Sequence, residues 1–249
     1  MYRHYKYHWH HVTPKYLGGF ASERRYINAA YHQLVTNQIP EAWRYGTGLT
    51  PTPIRLAEIL KDVYDESTAC KRCGSGALQQ THLVLRPSSL SKLRNLAIAI
   101  TIGGEIVVSD SFAELIATHG FQGAVLRPVN GRRRSSHILP GWQQLYGTSH
   151  LLNIVAPTRM GIGPTDDDAA GEYRCPQGHT IGLNLLSELW VSKDDVTICE
   201  WDLAFTRQRV GTRRGLLRPQ ASLLISPRFW RALKQQELKG YDVEVAHVK

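Results

Sequence analysis

Two short clusters in this 249-residue chain carry side chains able to hold a metal ion. Cys70-Lys-Arg-Cys73-Gly74 has the form of a zinc knuckle. In such a loop a tight turn lets two thiolates reach one ion, and the glycine after the second thiolate supplies the permissive backbone the turn needs. One knuckle gives two ligands, and a closed tetrahedral site needs four. Cys175-Pro-Gln-Gly178-His179 offers the rest, with Gly178 where a second knuckle would carry its second cysteine and an imidazole immediately after. Cys70, Cys73, Cys175 and His179 are therefore a candidate three-thiolate, one-imidazole site for a single structural Zn2+. The pairs lie about a hundred residues apart, outside the spacing of short zinc fingers, as a shared ion joining two halves of the chain would require.

The competing reading of the same residues is free thiols at Cys70 and Cys73 with a surface histidine at 179. A redox pair is disfavoured, because a redox Cys-x-x-Cys opens a helix after a strand. Here the pair follows the helix-like run Pro53 to Val63, with Ile54, Leu56, Ile59, Leu60 and Val63 on one face, and precedes Gly74-Ser-Gly. Cys199, in the alternating stretch Val196-Thr-Ile-Cys-Glu-Trp, reads as a core residue on a buried strand.

The elements that must position the clusters are marked by an internal echo. Ser109 and Ser226, Phe112 and Phe229, and Gly123 and Gly240 are each 117 residues apart. Around each set the chain reads strand, serine cap, helix, glycine turn, strand. Each serine can accept a hydrogen bond from a first-turn amide, and Pro227 stands at the first helical position, where its missing N–H costs nothing. Phe112 with Ile116 and Phe229 with Leu233 have the i, i+4 spacing that buries one helix face. The expected fold is α+β: two related strand-helix-strand units in a duplicated arrangement, bridged by the zinc-knuckle-like site.

The expected organisation is a His/Tyr-rich N-terminal extension with helices over residues 1–69 and the first knuckle with its α+β unit over 70–130. A loop-rich connector over 131–168 and the second knuckle with its unit over 169–249 complete it. Within the extension, Tyr2 to His10 alternate as a strand would, and Arg24 to Val35 has helical spacing.

Composition narrows the function. With 42% hydrophobic and 20% charged residues and no apolar run near the roughly 20 residues of a membrane span, the chain reads as soluble and globular. Four cysteines are too few for a disulfide scaffold of this length, and the opening residues lack a secretory pattern, so a cytoplasmic protein is expected. No dinucleotide loop, P-loop, metalloprotease helix or deaminase zinc motif is present, and no enzyme activity is expected. The net charge of +9 favours an acidic partner or nucleic acid. Arg132 to Arg134, Arg207, Arg209, Arg213, Arg214 and Arg218 are the cationic groups a phosphate backbone would meet.

The first cysteine pair with its glycine, the later Cys175-Pro, and the ending Ser222 to Val245 together resemble the double-CXXCG motif proteins, a family recognised among myxobacteria. That family includes immunity proteins of contact-dependent swarming-inhibition toxins. The resemblance runs from about Cys70 to the C-terminus and is strongest over Ser222 to Val245. It implies a non-catalytic protein that binds and neutralises a cognate toxin, with a toxin surface that is acidic given the charge here. Tyr5, Tyr7 and Trp9 in the N-terminal extension are candidate contacts, since aromatic residues anchor interfaces. The alternative is a zinc-containing protein that binds nucleic acid.

Overall fold

A computed structural model describes residues 31–36, 63–85, 96–101, 104–131, 138–147, 151–161, 168–198, 201–211 and 218–249. Two sheets and two capped helices organise it. The first sheet is built from β4 (Leu83–Val84), β5 (Ile98–Ile100), β6 (Ile106–Ser109), β7 (Ala124–Asn130) and β8 (Ile138–Gly147), in the order β4-β7-β8-β6-β5. β4 is parallel to β7, and the other pairs are antiparallel. The second contains β1 (Tyr31–Thr36), β9 (Leu151–Leu152), β12 (Leu189–Val191), β13 (Leu203–Thr206), β14 (Leu223–Ile225) and β15 (Tyr241–Val248), in the order β12-β15-β1-β14-β13-β9. Here β12 is parallel to β15, and β15-β1, β1-β14 and β14-β13 are antiparallel. Five strands in each sheet thus share order and direction, and β9 adds a parallel edge beside β13.

Three strands are apolar on both faces: Ile98 to Ile100, Ile106 to Val108 and Leu223 to Ile225 are all buried. Continuous apolar runs of this kind belong to strands covered on both sides. One core joins the sheets. It holds Ile98, Val108, Leu203 and Ile225 from the strands together with Phe112 and Phe229 from the helices. The helices are α1 (Asp110–His119) and α3 (Pro227–Gln235). The Ser109 hydroxyl accepts from the Phe112 amide and the Ser226 hydroxyl from the Phe229 amide, with Pro227 in the first turn, as the caps require. Both phenylalanines are fully buried, and their ring centroids lie 5.6 Å apart at a tilted angle, the geometry that aromatic quadrupoles favour. A smaller core backs each sheet on its far face, around Val107 and Val129 in the first and Leu189 and Leu224 in the second.

Three expectations are corrected. Tyr31 to Val35 belong to a strand, not to a helix over Arg24 to Val35. β1 lies between β14 and β15, where backbone groups on both its sides find ladder partners, and this tertiary slot overrides the weak helical spacing. Val196 to Ile198 are helical, not extended, in α2 (Lys193–Ile198). The Ser192 hydroxyl accepts from the Asp195 amide, and two aspartates occupy the first turn, which suits the positive end of the helix dipole. The stretch 131–168 holds the ten-residue β8, central in the first sheet, as well as β9 and the short β10 (Met160–Gly161). Pro140 and Gly141 give this strand the look of a turn. They sit where its register with β7 shifts between Pro128 and Asn130, a bulge that needs no ladder donor from proline.

Cys199, the run Pro53 to Asp62, and Tyr5, Tyr7 and Trp9 lie outside the described residues. Among the described residues no helix is long and apolar enough to cross a membrane.

Candidate metal centre

Each ligand pair stands on a small closed loop. The first knuckle caps the hairpin of β2 (Tyr64–Asp65) and β3 (Leu78–Gln79), which pair antiparallel. The Gly74 amide donates to the Cys70 carbonyl at 2.8 Å and the Cys70 amide to the Ser75 carbonyl at 2.7 Å. Gly74 adopts φ +74°, the left-handed backbone that glycine takes without a steric penalty. The second loop closes in the same way. The Gly178 amide donates to the Cys175 carbonyl at 2.8 Å, and the Cys175 amide to the Thr180 carbonyl at 2.9 Å. Arg174 bridges Ile181 across its base. Gly178 carries φ +75°, so the turn comes one residue earlier than in the first knuckle and the ligand one residue later.

Neighbouring chain fixes both loops. Asp65 accepts from the Ser67 amide at 2.9 Å and thereby caps the short 3-10 turn Glu66–Thr68. Asp168, the last of three consecutive aspartates, is buried. It accepts from the Glu172 amide at 2.8 Å and lies 3.6 Å from the Arg174 guanidinium. The Arg209 amide donates to the His179 carbonyl at 2.8 Å, which ties the second loop to the chain following β13.

Cys70, Cys73, Cys175 and His179 converge, with every ligand atom within 4.8 Å of every other. Cys70 Sγ is 3.9 Å from Cys175 Sγ, Cys73 Sγ is 3.7 Å from His179 Nδ1, and Cys175 Sγ is 3.9 Å from the same nitrogen. A tetrahedral zinc with Zn–S of about 2.3 Å and Zn–N of about 2.0–2.1 Å places its ligand atoms about 3.5–3.8 Å apart. The three separations just given, 3.7–3.9 Å, lie near that spacing. The sulfur separation also rules out a Cys70–Cys175 disulfide, whose bond is about 2.05 Å. The four residues are thus a cluster that can coordinate a metal ion, assembled from both ends of a 105-residue separation.

The electrostatics favour ionised sulfur in the first knuckle. At Cys73 burial pushes the thiol up, but hydrogen bonding from the Ser75 hydroxyl, 3.2 Å away, and from the Ser75 amide outweighs it and brings the group to about 7. The Cys73 amide holds the Cys70 thiol below its ordinary value. Burial raises the Cys175 thiol, and the neighbouring cysteines add to that. Burial also lowers the Arg209 guanidinium, which is opposed by the negative charge of Cys73 close by. A divalent cation bound by three thiolates and one imidazole would leave one net negative charge there, with Arg209 placed to face it.

All four metal-site residues named from sequence are brought together. The residues that support them were not recognised as such, and Arg209 figured only among the candidate phosphate contacts. Ser75, two positions after Cys73, had a local signal as a hydroxyl beside a knuckle. Arg209 had none, because its closeness to Cys73 depends on tertiary folding.

No protein-family model matches this sequence, and no curated protein matches it.

Proposed function

We propose that the cluster is a structural zinc site and that the chain is a non-catalytic protein that neutralises a cognate bacterial toxin by binding it. The observation that carries the metal reading is the closure of the cluster. Four protein ligands fill a tetrahedron and leave no position for water or substrate, which separates structural from catalytic zinc. On this reading the halves are a duplicated strand-helix-strand arrangement, and the ion is their common fastening.

Toxin neutralisation rests on the resemblance to double-CXXCG motif proteins. The arginines lend it support against nucleic-acid binding. Arg209 is turned inward beside Cys73. Arg218 pairs with Glu66 and lies over the Tyr64 ring, 4.7 Å from its centroid. Two of the cations a phosphate backbone would need are committed internally. Co-expression in a host sensitive to the toxin encoded beside this chain should restore growth. Failure to protect, together with binding to DNA or RNA whose affinity falls linearly with log salt, would establish the nucleic-acid reading instead.

A further inference from the structure

The pairing of the two sheets carries a consequence for how the halves recognise one another. In the first sheet the strand between β6 and β7 is β8, and in the second the strand between β14 and β15 is β1. Gln144 of β8 is opposite Val107 and Arg127, and Gln33 of β1 is opposite Leu224 and Glu244. Val107 and Leu224 are 117 residues apart, and so are Arg127 and Glu244. Gln33 and Gln144 therefore hold the same place in two equivalent ladders. The strand sequences agree with this: Tyr31-His-Gln-Leu-Val-Thr aligns with Trp142-Gln-Gln-Leu-Tyr-Gly, aromatic to aromatic and Gln-Leu to Gln-Leu.

Taken in chain order, β1, the first knuckle, β4, β5, β6, α1 and β7 form one set, and β8, the second knuckle, β12, β13, β14, α3 and β15 repeat it. The opening strand of each set lies in the sheet of the other. The contacts between the sheets are reciprocal in the same sense. The Ala97 amide donates to the Lys239 carbonyl at 2.6 Å, and the Asp202 amide donates to the Gln122 carbonyl at 3.1 Å. A Cβ on Gly240 would lie 2.4 Å from the Ile98 carbonyl oxygen, and one on Gly123 would lie 1.8 Å from that of Leu203. A two-fold relation between two copies of one unit generates paired contacts of this kind.

We infer that the chain is a single-chain, strand-exchanged dimer: each unit presents a self-complementary surface whose partner is a second copy of the same unit, which lends its first strand. The inference rests on the duplicated arrangement proposed above and is independent of the toxin reading. Neither unit completes its sheet alone. Without β1, β14 and β15 would each expose an unpaired edge in the middle of a sheet, and such edges recruit another strand. The knuckles share the relation, each unit giving one pair of ligands to the common ion.

Two experiments test it. In the full chain, a protease recognition sequence is placed between Gly131 and Ile138, the uncut protein is shown to be folded, and the link is then cut. The fragments are expected to stay together as one species of unchanged mass in size-exclusion chromatography with light scattering, also after a chelator has removed metal, and to separate only in denaturant. A cut chain that falls apart, as folded halves or as aggregate, overturns the inference. In the unmodified chain, hydrogen exchange should protect the amides of residues 31–36 as it protects those of 143–145, by about a thousandfold or more over free peptide. Exchange at the free-peptide rate over 31–36 contradicts it. Paired fragments that bind no zinc would sink the metal reading and leave this one standing.

Discussion

The two knuckles solve one problem with different residues. Both loops close with the same hydrogen bonds, from Cys70 to Ser75 and from Cys175 to Thr180. The first places a thiolate at the fourth position of the loop, and the second places glycine there and an imidazole at the fifth. In each the glycine takes the left-handed turn, as Gly74 after the ligand and as Gly178 before it. The backbone fixes where the loop lies, and side-chain reach then decides which position can supply the ligand. Imidazole Nδ1 from one residue further on reaches toward the other ligand atoms where a sulfur would have stood, and a metal bound there would meet one negative charge less than four thiolates would give it.

The likeness of the halves can be broken most sharply in the shared core. Phe229→Ala should cost about 3–5 kcal/mol in urea unfolding, and Phe112→Ala a similar amount, since both rings are fully buried. Because the rings touch, the double variant should depart from additivity by about 0.5–1.5 kcal/mol. Additive losses would mean that the two helices belong to separate cores.

Next in size are the paired glycines. Gly123 and Gly240 have φ +108° and +109°, and each abuts a backbone carbonyl of the opposite sheet. Alanine at either should destabilise by roughly 1–3 kcal/mol from backbone strain alone, with the overlap adding to that. A cost at one position and none at the other would show that the reciprocity is not structural.

A difference between the halves should appear at alkaline pH. Burial, and after it the Glu105 carboxylate to which the Tyr64 hydroxyl donates at 2.8 Å, raise the Tyr64 phenol well above its ordinary value. The unfolded phenol ionises near about 10. The stability tied to Tyr64 is therefore intact below that pH and is lost as pH rises beyond it, by about 1.4 kcal/mol per pH unit. Tyr64→Phe should reduce the slope of unfolding free energy above pH 10 by that amount. An unchanged slope would remove Tyr64 from the account.

The smallest effects belong to the caps. Ser109→Ala and Ser226→Ala should each cost about 1 kcal/mol. The second should cost more, because the Ser226 hydroxyl also donates to the buried Asp202 carboxylate at 2.8 Å, whereas the Ser109 hydroxyl meets the uncharged Ser111 hydroxyl at 2.7 Å. Thermal melts in parallel would rank them.

What was legible in the sequence follows from what is local. The serine caps, Pro227 and the phenylalanine spacing announce their helices because capping and i, i+4 packing act within a few residues. The ligands were legible because a knuckle is a five-residue motif. β1 and β8 were not, since a central strand is defined by neighbours far away in the chain, and β8 disguises itself with Pro140 and Gly141 at a bulge. Arg209 beside Cys73 is hidden for the same reason. α2 carried a signal that was not read: Ser192-Lys-Asp-Asp is a helix start, and only the alternation that follows it was taken into account.

The central claim is that one zinc fastens the two halves through Cys70, Cys73, Cys175 and His179. Metal analysis with X-ray absorption on the purified chain tests it most directly. The account predicts about one zinc per chain, with three sulfurs at about 2.3 Å and one nitrogen at about 2.0–2.1 Å, and loss of both the metal and thermal stability in Cys73→Ala. A metal-free protein whose melting temperature does not change in Cys73→Ala would contradict it.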